Sequence, residues 1–265
     1  MIMKIVFYMV AMLACLIGKI CGMGGGVIIK PVLDAYAVLG IEAINYLSGC
    51  TVFGMCFWSV SKLFLKHESQ IRLKTSTPLA IGAAIGGVLG KSMFSLLQQL
   101  MICSDKAGGI QAILLFVVTF FTLLYTIKKD YFPAFCVDSI LVSIVIGVFL
   151  GTLGSFLGIG GGPINMAVLY FFYSMPTKTA AQNSLYIILI SQGTGLLKIV
   201  ISNDIPDLSI GILVGMIFFG ILGSELGGKI NSKISEGKVR DLLKWSMVLI
   251  MGISVYNIVM LLILG

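Results

Sequence analysis

Apolar residues in this chain of 265 fall in long, almost unbroken blocks, and the length of those blocks limits the fold more than any other feature. A helix needs about 20 apolar residues to cross a hydrocarbon core roughly 30 Å thick. Blocks of that size run at 43–65, 75–98, 109–127, 179–201, 208–228 and 245–263, and two longer, interrupted ones lie at 1–39 and 137–173. The longest polar stretches are only 66–74 and 229–244. Charged residues make up 11% of the chain, about half the share of a soluble domain, against 58% hydrophobic residues. The expected fold class is therefore all-α and polytopic, with membrane lipid as the main partner.

Several function classes drop out at this point. The net charge of +7 could suggest nucleic acid, but the basic residues sit in short loops between apolar blocks, as in the cytoplasmic loops of membrane proteins. Cys15, Cys21, Cys50, Cys56, Cys103 and Cys136 are scattered without a CxxC pair, so they read as small core residues. No metal site and no cofactor is expected. His67 is the sole histidine and lies in a basic loop, and neither HExxH nor a GxSxG with a partner histidine occurs, so no enzyme is expected. Lys4 and the run after it resemble a signal peptide, and Met12-Leu13-Ala14-Cys15 loosely resembles a lipoprotein cleavage site. The run continues straight into a glycine motif, so the segment is expected to be retained.

That motif occurs twice. Gly22-Met23-Gly24-Gly25-Gly26-Val27-Ile28 is matched by Gly158-Ile159-Gly160-Gly161-Gly162-Pro163-Ile164, with Val32-Leu33 and Val168-Leu169 continuing in register. Gly82, Gly87 and Gly90 also echo Gly215, Gly220 and Gly223 in spacing. Self-similarity of this kind predicts two homologous transmembrane repeats, 1–130 and 131–265, a common plan among secondary transporters.

The positive-inside rule orients them. If each interrupted block crossed once, the basic loop residues would divide evenly between the two sides. If each interrupted block instead returns to its own side, twelve basic residues at 62–74, 128–129, 178 and 229–244 share one side, against Lys4 and Lys106 on the other. Each half then crosses an odd number of times. The halves are inverted relative to one another, in a bacterial-type inner membrane, with both termini extracytoplasmic.

Consecutive glycines in a helix each cost about 1 kcal/mol relative to alanine, so the helix should break at Gly24, Gly25 and Gly26, and again at Gly160, Gly161 and Gly162. Pro163 suits the first turn of a restarted helix. A helix start presents free backbone N–H groups, an arrangement that binds anions. Irregular backbone at membrane depth is tolerated where it lines a watery cavity, so these glycines and Pro163 are candidate substrate contacts. Asn45, Gln182 and Asn183 lie just downstream and could line the same cavity, with Ser48, Ser184, Ser191 and Gln192 as further polar groups. Lys198 could supply a countercharge. Glu225, an acid within an apolar helix, could carry a coupled proton, or it could pair with Lys229 at helical spacing. Lys30 is also notable as a lysine inside an apolar block.

Gly22 to Gly26 with Pro31, Gly158 to Pro163, the two-half plan and the length together resemble the sulfite exporter TauE/SafE family of membrane permeases over essentially the whole chain. The resemblance implies transport of a small sulfur-containing anion such as sulfite or an organosulfonate. The first half carries Val27 where the second has Pro163, so the two sites need not be equivalent. An anion-selective channel and a non-transporting membrane scaffold are the alternatives, since selectivity filters also use glycine-rich backbone.

Overall fold

The structure is a computed structural model and describes residues 2–36, 39–100, 104–129 and 135–261. Among these residues the chain forms ten helices: α1 (Ile2–Cys21), α2 (Gly26–Tyr36), α3 (Ile41–Leu65), α4 (Leu73–Leu100), α5 (Ser104–Lys128), α6 (Ile140–Phe156), α7 (Gly162–Tyr173), α8 (Thr177–Ile201), α9 (Ile210–Lys233) and α10 (Glu236–Val259). Seven of them, α1, α3, α4, α5, α8, α9 and α10, are long and apolar enough to cross a membrane, and α6 is a shorter apolar helix. The expected boundary between 130 and 131, Cys103, and the last four residues lie outside the described residues.

One boundary differs from the sequence reading. The stretch 229–244 is not a polar loop, because α9 runs on to Lys233 and α10 begins at Glu236. Val239 and Leu243 are four apart and fully buried, while Lys238 and Asp241 on the same turns are exposed. That spacing makes an amphipathic first segment, and Glu236 in the first turn suits the positive end of the helix dipole.

Close helix packing rests on glycine. A Cβ on Gly82, Gly86 or Gly90 of α4 would fall 2.1–2.3 Å from a backbone carbonyl oxygen of α6, at Ile144, Val148 and Thr152. Gly223 and Gly227 of α9 press in the same way on Met12 O and Leu16 O of α1. Gly86 and Gly90 of α4 on α6, and Gly223 and Gly227 of α9 on α1, thus make the same kind of backbone-to-backbone contact, each pair spaced four residues apart. Among the other neighbours, α4 also meets α8, α9 meets α3, α2 leans on α10, α7 on α5, and α3 packs against α8. Cys15, Cys21 and Cys56 are buried and Cys50 is partly so, but Cys136 is exposed.

Candidate functional site: two cavities and two helix interruptions

Between α1 and α2, and again between α6 and α7, the chain leaves helical geometry for four or five residues. Gly158 (φ +70°) and Gly160 (φ +78°) take left-handed backbone that an L side chain resists. The space around them is closed as well: a Cβ on Gly158 would sit 2.2 Å from Asn45 Oδ1, and one on Gly160 would sit 2.2 Å from Gln192 Nε2. Gly18 and Gly154, each on the last turns of the preceding helix, let the interrupted segments fold back, against Gly24 and Gly161 respectively. The helix restarts at Gly162 with Pro163 in the first turn of α7.

The two interruptions touch. A Cβ on Gly26 would lie 2.8 Å from Ile159 O, and one on Gly162 would lie 2.7 Å from a methyl of Val27. Their depth is central, because Gly24 rests against Val52 and Ile188, each near the middle of a 25-residue helix.

Their surroundings differ in polarity. Gly22 and Gly24 face Ala181, Ile188 and Val52, whereas Gly158 and Gly160 face the amides of Asn45 and Gln192. Ser48 and Ser155, both buried and without a hydrogen-bond partner among the described residues, stand beside the same region, Ser48 Oγ against Gly26.

Two cavities approach from opposite helix ends. The first, about 350 Å³, is bordered by Lys19 near the end of α1, Lys62 and Lys66 at the end of α3, Gln182 near the start of α8, and Glu225 and Lys229 on α9. The second, about 670 Å³, reaches the second interruption at Gly158. Asn45, Ser155 and Gln192 line its floor, Lys91 and Lys198 supply positive charge, and Glu42 and Asp204 stand on its wall.

The residues singled out in the sequence are thus dispersed. Asn45 and Lys198 share the second cavity, while Gln182 and Glu225 line the first. Asn183 lines neither. Its Oδ1 accepts hydrogen bonds from Arg72 N (2.8 Å) and Ser76 Oγ (2.5 Å), and its Nδ2 donates to Gln70 O (3.2 Å) and Thr179 O (2.7 Å), so the whole amide is engaged in pinning the α3–α4 loop. Glu225 is an ion-pair partner of Lys62 on α3 and accepts a hydrogen bond from Trp58 Nε1, with a quarter of its side chain exposed. Lys198 Nζ donates to Ser92 Oγ on α4. Ser155 was not marked by the sequence, since a serine at a helix end has no local signature, and Lys91, though it lies in an apolar block, was not singled out as a site residue.

Comparison with known proteins agrees with an all-helical chain carrying seven candidate membrane spans. The model of the family described as "Sulfite exporter TauE/SafE" matches residues 7–255. The chain belongs to the TauE/SafE family. It is accordingly an integral membrane transporter and not an enzyme. Two relatives carry the same description of function. "Probable membrane transporter protein MJ0441" of Methanocaldococcus jannaschii is 25% identical over 248 residues, covering 90% of each chain. "Probable membrane transporter protein YunE" of Bacillus subtilis is 32% identical over 93 residues, covering 35% of this chain and 34% of its own. No solved structure matches this TauE/SafE chain.

Proposed function

We propose that this TauE/SafE protein is a secondary carrier of a small anion, in the sulfur oxyanion or organosulfonate class, and that the anion binds in the second cavity against Gly158 and Gly160. The observation that carries the reading is the convergence of Asn45 and Gln192 on those two glycines. Amide and hydroxyl groups can hydrogen-bond oxyanion oxygens without the desolvation cost of a buried charge. Lys91 and Lys198 on the cavity wall would draw the anion in, and the start of α7 at Gly162 and Pro163 adds the positive end of a helix. The first interruption, with Gly22 and Gly24 among apolar side chains, serves as the more apolar counterface.

The two halves, 1–130 and 131–265, are read as inverted repeats. Exchanging them turns the most extensive pairings into others that are also present: α4 on α6 into α9 on α1, α4 on α8 into α9 on α3, and α2 on α10 into α7 on α5. Residues near the ends of α1 and α3 both border the first cavity, while residues near the ends of α6 and α8 both border the second. This favours interrupted segments that return to their starting side. With the basic loops cytoplasmic, the first cavity faces the cytoplasm of a bacterial-type cell, the second faces outward, and both termini are extracytoplasmic.

A thermal-shift screen of the purified protein against sulfite, sulfate, thiosulfate and short sulfonates tests the reading. A ligand at 100 times its Kd adds about 2.7 kcal/mol of stability. Stabilisation by at least one of these anions, reduced in Asn45→Ala and Gln192→Ala, is the expected result; a folded protein that none of them stabilises would sink the proposal.

A further inference from the structure

Lys30 and Asp34 form an ion pair one helical turn apart on α2, 3.1 Å between Nζ and Oδ2, with side chains only 3% and 7% exposed. The other carboxylate oxygen, Asp34 Oδ1, has no hydrogen-bond partner among the described residues. Ionisable side chains this deep in a membrane protein are costly, and a buried ion pair is often less stabilising than apolar residues of the same volume.

The second half provides an internal control for whether the fold needs the pair. Lys30 and Asp34 lie four and eight residues after Gly26, and the residues four and eight after Gly162 are Met166 and Tyr170. Both are buried, at 0% and 1% exposure, so a short helix in the corresponding place forms without any such pair. Architecture therefore does not explain Lys30 and Asp34, whereas position does. The Lys30 stem comes within 3.2 Å of the point where a Cβ on Gly158 would sit, the same point that Asn45 Oδ1 approaches to 2.2 Å, and both Gly158 and Asn45 line the second cavity. The Lys30 stem thus lies directly behind the cavity floor, with Asp34 one helical turn further along α2.

Resting on the anion-carrier reading above, we infer that Lys30 and Asp34 form the proton-loading site of the carrier. An anion on the floor of the second cavity draws the Lys30 ammonium away from Asp34. The buried carboxylate, left without its counterion, takes one proton from water and becomes a neutral carboxylic acid, forming an O–H bond while Lys30 keeps its charge for the anion. Release of the anion returns Lys30 to Asp34 and expels the proton, so anion and proton cross together in the same direction.

Other groups around the pair do not compete for this role. From α3 come Asn45 and, exposed at its first turn, Glu42; from α10 comes Asn257, whose Nδ2 donates to Pro31 O (2.9 Å), with Tyr256 exposed beside it. Cys21 at the end of α1 faces Ser246 and Tyr170. Among the described residues the ion-pair partner of Asp34 is Lys30.

Calorimetry of anion binding in two buffers of different ionisation enthalpy, between pH 6 and 8, tests the inference. Methanesulfonate, sulfate and thiosulfate are suitable probes because they stay fully ionised in that range, so any proton taken up belongs to the protein. The expected result is uptake of about one proton per anion, with affinity falling about tenfold per pH unit on the alkaline side. Uptake should vanish in Asp34→Asn and in the double variant Lys30→Met with Asp34→Leu, which copies the apolar character of α7 and keeps the test open if Asp34→Asn misfolds. Anion binding by the wild type without proton uptake, or uptake retained in a folded variant, would overturn the inference and leave the anion site standing. Failure of every probe to bind the folded wild type would remove the anion site, and the inference with it.

Discussion

Gln192 Nε2 occupies the space that a side chain on Gly160 would need, 2.2 Å from the position of its Cβ. Gly160 also holds φ at +78°, so substitution there meets two separate penalties. Gly160→Ala is expected to destabilise the protein by roughly 1–3 kcal/mol from backbone strain alone, with the contact adding to it. Combining it with Gln192→Ala should recover the contact part and leave the strain, which thermal unfolding of the two variants would separate. Equal melting temperatures for the single and double variants would refute the contact.

Glycines on the helix faces should respond with opposite signs. Gly86→Ala places a Cβ 2.1 Å from Val148 O and must push α4 off α6, so a marked fall in folded yield is expected. Gly252 in α10 has nothing among the described residues within 4 Å of its Cβ position, so Gly252→Ala should be neutral or gain roughly 0.5–1 kcal/mol. Parallel melting curves in detergent would compare the two.

Asn183 is expected to behave as a structural residue. Asn183→Ala removes four hydrogen bonds and strands Ser76, which is fully buried, and the Arg72 N–H. A loss of about 2–3 kcal/mol is expected from the unsatisfied groups. The anion affinity of the fraction that still folds should match the wild type in an equilibrium binding assay, and a tenfold weaker affinity at unchanged stability would assign Asn183 to the site instead.

Glu225 and Lys62 are both partly exposed, at 25% and 35%, and such pairs contribute about 0–1 kcal/mol. Glu225→Gln should leave stability nearly unchanged and keep the proton uptake that depends on Asp34. Loss of that uptake in Glu225→Gln, with Asp34 intact, would move the coupling role to the first cavity.

Orientation can be read with fusions. A periplasm-active phosphatase joined after Gly265 should be active, and a fluorescent protein at the same place dark. A bright cytoplasmic fusion would reject the arrangement in which each interrupted segment returns to its own side.

Helix content and membrane residence were legible in the sequence because they follow from one-dimensional properties: the length of apolar blocks and the scarcity of charge. The interruptions could be placed at Gly24 and Gly160 for a similar reason, since glycine acts through its own backbone. The start of α10 at Glu236 was hidden because its amphipathic turns, with Val239 and Leu243 inward, read as a polar loop when averaged. Lys30 and Asp34 did stand at helical spacing within an apolar block, a pattern that could have been found without any structure.

The candidate site was a different matter. Sequence proximity to each glycine motif suggested Asn45, Gln182 and Asn183 together, yet they end in one cavity, the opposite cavity and a loop anchor. Which amide faces which glycine depends on how α3 and α8 cross, and no local pattern encodes that crossing. Thus the sequence by itself determined the apolar helices and their glycine interruptions, each written in consecutive residues. Tertiary structure alone decided that the second interruption is the polar one, because Asn45 and Gln192 reach Gly158 and Gly160 only across helix interfaces set by packing.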